Sequence, residues 1–149
     1  MAEFLEVTID KFTFRVDQSC LYSSEGIWAR MEDGRVKLGL SDYIQQRSGD
    51  IAFIDVKPAG TVLAVDDEFA SIETVKANVM LASPVSGKIA RVNPALEMKP
   101  ELINQDPFGE AWICEVEADN VDADRQHMLD AEAYFTHMKP EAEDEVRQK

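Results

Sequence analysis

The chain reads as short strand-prone runs cut at close intervals by turn residues, and one such run has a lysine near its centre: Glu73-Thr74-Val75-Lys76-Ala77. Ahead of it, Thr61 to Val65 stops at the acidic turn Asp66-Asp67-Glu68, and Phe69-Ala70-Ser71-Ile72 resumes as a strand. Behind it, Val79-Met80-Leu81 runs into Ser83-Pro84-Val85-Ser86-Gly87, and a further strand follows over Lys88 to Val92. Two strands meeting in a tight hairpin would present Lys76 at its tip. Taken alone, such a lysine is a solvated charge that blunts a sheet edge.

The rest of the chain keeps the same rhythm. Val7 and Ile9, then Phe12, Phe14 and Val16, alternate as half-buried strands joined around Asp10-Lys11. Ile27 to Met31 and Arg35 to Leu40 read as two more strands around Glu32-Asp33-Gly34. Ser41-Asp42 offers an N-cap for a short helix over Tyr43 to Ser48, closed by Gly49. Ile51 to Val56 reads as a buried strand stopped by Pro58 and Gly60, and the Pro-rich stretch from Leu96 to Gly109 as a long ordered loop. Trp112 to Val116 is a final strand, with Trp112, like Trp28, expected in the core. A helix starts at Asp122, with Met128, Leu129, Ala133 and Met138 on one stripe. Pro140 is expected to stop it, which divides the chain into one domain over 1–139 and a solvated tail over 140–149.

Composition narrows the function. The chain has 149 residues, 45% of them hydrophobic, enough for one domain with a real core. A formal net charge of -14 argues against nucleic acid and favours basic surfaces on protein partners. No apolar run is long enough to span a membrane, and Met1-Ala2-Glu3 lacks the basic region of a signal peptide, so a cytoplasmic protein is expected. Cys20 and Cys114 have neither CxxC spacing nor a nearby histidine, so no metal site is expected. His127 and His137 are spaced wrongly for a metal pair, and no Ser-His-Asp or paired-carboxylate arrangement marks an enzyme.

The lysine run resembles the attachment site of the glycine cleavage H-protein family, lipoyl carriers whose usual pattern is Glu-Ser-Val-Lys-Ala followed by Ala-Pro-Val-Ser-Gly. Here the matching residues are Glu73 to Ala77, then Ser83 to Gly87. Leu38 to Tyr43, Gly49 to Phe53, Asn93 to Leu96, Pro100 to Asn104, Asp106 to Gly109 and Trp112 extend the likeness over roughly Trp28 to Ala133. The resemblance implies a mainly β fold, the lipoyl/biotinyl-type flattened β-barrel or hammerhead, with a short internal helix and a C-terminal helix. It implies lipoate joined to Lys76 by an amide, with Glu73 read by the lipoate-attachment enzyme. Val75 and Ala77 replace the methionines that usually flank a biotinyl lysine. The chain would then be a monomeric carrier rather than an enzyme, its tethered dithiol meeting successive partners at high effective concentration.

Some residues depart from the family pattern. The usual Ser-Glu-His-Glu-Trp is here Ser24-Glu25-Gly26-Ile27-Trp28, and the usual Ala-Ser-Asp-Ile-Tyr after the lysine region is Asn78-Val79-Met80-Leu81-Ala82. Where the family has alanine and leucine, this chain has Ile44 and Ser48, as if bulk had moved one turn along a helix face. These departures are similar to H-protein-like lipoate-binding proteins of the sulfur-oxidising heterodisulfide-reductase-like pathway. On that reading the arm carries a sulfur-bound intermediate to a heterodisulfide-reductase-like complex, and Cys20 has a possible thiol role beside it. The alternative is aminomethyl carriage between the glycine cleavage enzymes, with reoxidation by dihydrolipoamide dehydrogenase. A third reading is a non-lipoylated scaffold in which Lys76 is a surface charge.

Overall fold

A computed structural model describes residues 3–32 and 34–148. Two strands, β1 (Phe4–Ile9) and β2 (Phe12–Asp17), form a hairpin whose turn sets Asp10 in the left-handed region at φ 56°. The strands β3 (Leu21–Tyr22), β4 (Ile27–Glu32) and β5 (Arg35–Leu40) follow, then the short helix α1 (Asp42–Ser48) and β6 (Ile51–Val56). The centre of the chain supplies β7 (Val62–Leu63), β8 (Glu68–Thr74), β9 (Asn78–Ala82) and β10 (Gly87–Val92). After the single-turn helices α2 (Ala95–Met98) and α3 (Leu102–Gln105) come β11 (Cys114–Ala118), α4 (Val121–Arg125) and α5 (Ala131–Arg147).

The strands assemble into a six-stranded sheet in the order β3-β4-β5-β11-β10-β7, a three-stranded sheet in the order β6-β8-β9, and the β1-β2 hairpin. One apolar core joins them, with Trp28, Tyr22, Phe69, Leu38, Ile72 and Ile89 fully enclosed. Each side chain of that size contributes about 1.5 to 3 kcal/mol by leaving water. Trp28 also fixes the strand beside it. It pairs with Gly39, where an added Cβ would lie 2.2 Å from the indole ring, and its Nε1 donates to the Pro107 carbonyl at 2.8 Å. Helix α1 begins and ends as its sequence predicts, with Ser41 Oγ accepting from Ile44 N and Gly49 at φ 82°.

Six local expectations need correction. Pro140 lies inside α5, which runs on to Arg147, so 140–149 is not a solvated tail as far as the described residues go. The ring removes one helical hydrogen bond, at a cost of about 3 kcal/mol. Pro140 itself is exposed, while Met138 and Ala142 on either side are sealed in the core, and their burial offsets that loss. The helix expected from Asp122 is broken, because Leu129 exchanges two backbone hydrogen bonds with Tyr22, at 2.8 and 2.7 Å, closing the free edge of β3. A new helix then starts at Asp130, whose side chain accepts from Ala133 N at 2.8 Å. The Pro-rich loop contains α2 and α3, which bury Leu96 and Ile103. Strand β6 is half exposed rather than buried, and the last strand starts at Cys114; Trp112 is only partly covered, stacked under Arg91 and Lys37.

Candidate functional site

The β8-β9 hairpin closes through Val75, Lys76 and Ala77, none of which needs left-handed backbone. A single hydroxyl shapes this loop. Thr74, at the end of β8 and buried, accepts at Oγ1 from Lys76 N (3.3 Å) and Ala77 N (3.2 Å) and donates to the Ala77 carbonyl at 3.2 Å. Its own N–H reaches the same carbonyl at 2.9 Å. The loop backbone is thereby closed on itself, and the side chains of Val75 and Lys76 are left outward; Val75 is 96% exposed and Lys76 is exposed beside it. The role of Thr74 was not read from the sequence, although a hydroxyl residue two before a loop amide is the signal for such a turn.

The far end of the hairpin is rigid. Ser83 Oγ donates to the Val85 carbonyl at 2.7 Å, and Asp66 N donates to the Ser83 carbonyl at the same distance. Ser86 donates through its N–H to the buried carboxylate of Asp124 at 2.9 Å. Gly87 has φ 151°, and a Cβ there would lie 2.2 Å from the Glu117 carbonyl oxygen. The second motif of the sequence therefore anchors the hairpin, while the first exposes its tip.

Strand β9 pairs only with β8, so its other edge is free among the described residues, and a cleft of about 220 Å³ runs along it. Ile27, Ile44, Val79, Met80 and Leu81 make its apolar lining, and Arg47, Glu25 and Glu141 supply charge. Here the two departures at Gly26 and Ile44 meet. Gly26 is buried at φ 92°, and an added Cβ would stand 2.3 Å from Ile44 Cγ1. The bulk at position 44 is accommodated by the absence of a side chain at position 26.

Glu73 is exposed on β8, opposite Phe53 on one side and Asn78 on the other. Cys20 lies elsewhere, just before β3, 3% exposed among Ser19, Asp17 and Arg30, and it does not line the cleft along β9. Burial pushes its thiol up to about 11, with Arg30 opposing and Asp17 adding to the shift. A reactive cysteine has the opposite environment. Cys114 is likewise buried, its thiol pushed up to about 12 by burial and then by Glu115, and both cysteines are free. His137 places a ring nitrogen 3.1 Å from the Ser24 carbonyl, and His127 is exposed. No group of three or more potential ligands for a metal ion occurs among the described residues, and no helix among them is long and apolar enough to cross a membrane.

A family model described as glycine cleavage H-protein matches residues 20–141. The glycine cleavage system H protein of Bacteroides fragilis is 41% identical over 117 residues, which cover 78% of this chain and 92% of that protein. A probable glycine cleavage system H protein of Thermococcus gammatolerans is 36% identical over 127 residues, covering 85% and 94%. Among solved structures, the glycine cleavage system H protein of Mycobacterium marinum superposes with a TM-score of 0.73 at 25% identity, over 80% of this chain and 95% of that one. The expected flattened β-barrel is the fold of this chain.

Proposed function

The chain belongs to the glycine cleavage H-protein family, and from that premise we propose that Lys76 bears the lipoyl arm and that the arm carries the aminomethyl group of glycine cleavage. Proteins of this family are lipoyl carriers, not catalysts, with lipoate held covalently on a lysine. The observation that carries the assignment of Lys76 is the clamped loop, which exposes one lysine at the end of a hairpin whose base is locked. An attaching enzyme reaches that amine without opening a strand pair. Glu73, three residues before it and exposed, is the carboxylate that enzyme reads.

When bound, lipoate would supply a cyclic disulfide whose S–S bond opens as one sulfur takes the cargo and the other is left as a thiol. The residues of this chain hold and shelter it. Ile27, Ile44 and Val79 form an apolar wall beside β9, and Glu25 and Glu141 outnumber Arg47 along the same cleft. An excess of carboxylates favours a cationic amine over an anion. That balance, with the names of the relatives, supports the aminomethyl cargo and, as partners, the glycine cleavage enzymes together with the lipoate-attachment enzyme. We also place the protein in the cytoplasm, a reading supported by two thiols left unpaired.

A second reading, carriage of a sulfur-bound intermediate to a heterodisulfide-reductase-like complex, is favoured by one observation. Val79 and Met80 stand where the family has polar residues, and Met80 is 69% exposed. Peptide mass spectrometry on protein from its native cells separates the readings. A lipoyl group on Lys76 bearing an aminomethyl adduct is expected. A persistent extra sulfur on the arm would replace this reading with the sulfur one, and a bare Lys76 in every molecule would leave a scaffold.

A further inference from the structure

The register of the three-stranded sheet sets out its outer face in two rows. Beside the hairpin tip, Phe53, Glu73 and Asn78 lie opposite one another across β6, β8 and β9. Two residues further along each strand, Asp55, Ser71 and Met80 repeat the pattern on the same face. The residues between them, Ile54, Ile72 and Val79, turn toward the core, as the two-residue period of a strand requires. Phe53 nevertheless keeps 67% of its surface in water. A phenyl ring left uncovered next to a carboxylate, within a patch that also contains Met80 and borders Val75, is a contact surface waiting for a partner.

We propose that this face, centred on Phe53, is where the enzyme that acylates Lys76 docks, an inference that rests on Lys76 being the attachment point. Position selects that occupant. The row of Phe53, Glu73 and Asn78 is the one next to the loop, so a protein that reaches Lys76 from the side of the sheet covers it. Exposure does not distinguish Lys76 from Lys88 or Lys99, which are also exposed, so selective acylation requires recognised surroundings. Charge selects the same kind of partner. Glu73 and Asp55 have no ion-pair partner among the described residues, and the chain carries a net charge of -14. The docking enzyme therefore offers an apolar recess for Phe53 rimmed by basic groups.

The step served by this docking balances without further reagents. The neutral Lys76 amine attacks the carbonyl of an acyl adenylate made from the carboxylic acid and ATP. A C–N bond forms as the C–O bond to phosphate breaks, AMP leaves with the electron pair, and the surplus proton on nitrogen passes to solvent. Phe53 and its neighbours take no part in bond making; they set how long Lys76 stays opposite the adenylate.

The test is the initial rate of Lys76 modification in the purified unmodified protein, with the host's lipoate-attachment enzyme, lipoate and ATP, read by peptide mass spectrometry. Phe53→Thr, which suits an exposed strand position, is expected to lower kcat/KM about tenfold, mainly through KM. Asp55→Lys is expected to act in the same direction and to weaken the salt dependence of the rate. Val62→Thr, at an equally exposed apolar position on the other sheet, is expected to leave the rate unchanged. Acylation of Lys76 by a small N-hydroxysuccinimide ester should be equal in all variants, which separates docking from access to the amine. An unchanged enzymatic rate in Phe53→Thr would overturn the proposal, as would normal loading followed by failure with a downstream enzyme. If Phe53→Thr does not fold, an unchanged rate in Asp55→Lys overturns it instead. Acylation of the parent protein at a lysine other than Lys76 would remove the attachment assignment, and this inference with it.

Discussion

Replacing Gly26 by alanine measures how far the departures at positions 26 and 44 are one change. Gly26 has φ 92°, a region where a side chain costs about 1 to 2 kcal/mol. An added Cβ would also stand 2.3 Å from Ile44 Cγ1, and overpacking of that kind costs about 1 to 3 kcal/mol. Gly26→Ala should therefore lose about 2 to 5 kcal/mol of stability. Ile44→Ala alone removes a side chain only 4% exposed, for a loss of about 2 to 4 kcal/mol. In the double variant the clash with Ile44 disappears, while the backbone cost and the 3.0 Å approach to the Tyr134 hydroxyl stay. The loss in the double variant should then fall short of the sum of the two single losses by about 1 to 3 kcal/mol. Urea unfolding of the four proteins at neutral pH, with equal m-values as the check on two-state behaviour, gives this coupling directly. Additivity to within about 0.5 kcal/mol would refute the account and return Ile44 to the simpler exchange with Ser48.

Three further outcomes are expected. Thr74→Val, which keeps the branched shape and removes the hydroxyl, should cost about 1 kcal/mol and speed amide exchange at Lys76 and Ala77, while Thr74→Ser should restore both. Lys76→Arg should abolish lipoate loading with no change in thermal midpoint, because the side chain is exposed and the loop is held by Thr74; continued turnover with purified partners would sink the carrier assignment. The Cys20 thiol is held above its ordinary value of 9.0, at about 11, so the folded state keeps its proton more tightly than the unfolded one. That contribution is complete below about pH 9, is lost as pH rises through about 11, and amounts to roughly 2 to 3 kcal/mol. Urea midpoints between pH 8 and pH 11 should fall less steeply in Cys20→Ala, and a thiol reagent at pH 8 should label Cys20 only after unfolding.

The alternating runs and the turn residues between them are enough to read the individual strands, the helix at Ser41 and the lysine hairpin, because each depends on patterns or contacts a few residues apart. Ser41 caps the amide three residues on, and Asp10, Gly49 and Gly87 take backbone angles or close approaches that few residues accept. The errors came where a distant partner overruled local preference. Pro140 is a helix breaker in isolation, yet Met138 and Ala142 hold its helix against the core. The stripe from Met128 to Met138 is helical in pattern, but Leu129 is taken by the backbone of Tyr22, more than a hundred residues earlier in the chain.

The sequence by itself determined which lysine stands at the hairpin tip, since the residues that shape the loop, from Glu73 to Ala77, are contiguous. Only the tertiary structure decided what surrounds that lysine. It brought Gly26 against Ile44, lined the free edge of β9 with Arg47 and Glu141 from two helices, and left Phe53 uncovered beside Glu73. It also withdrew Cys20 into the core, where burial holds its proton. The physical reason is the range of the forces involved: turn geometry and capping act within one or two turns of chain. Burial and cross-strand pairing are set by whichever segments the fold brings together.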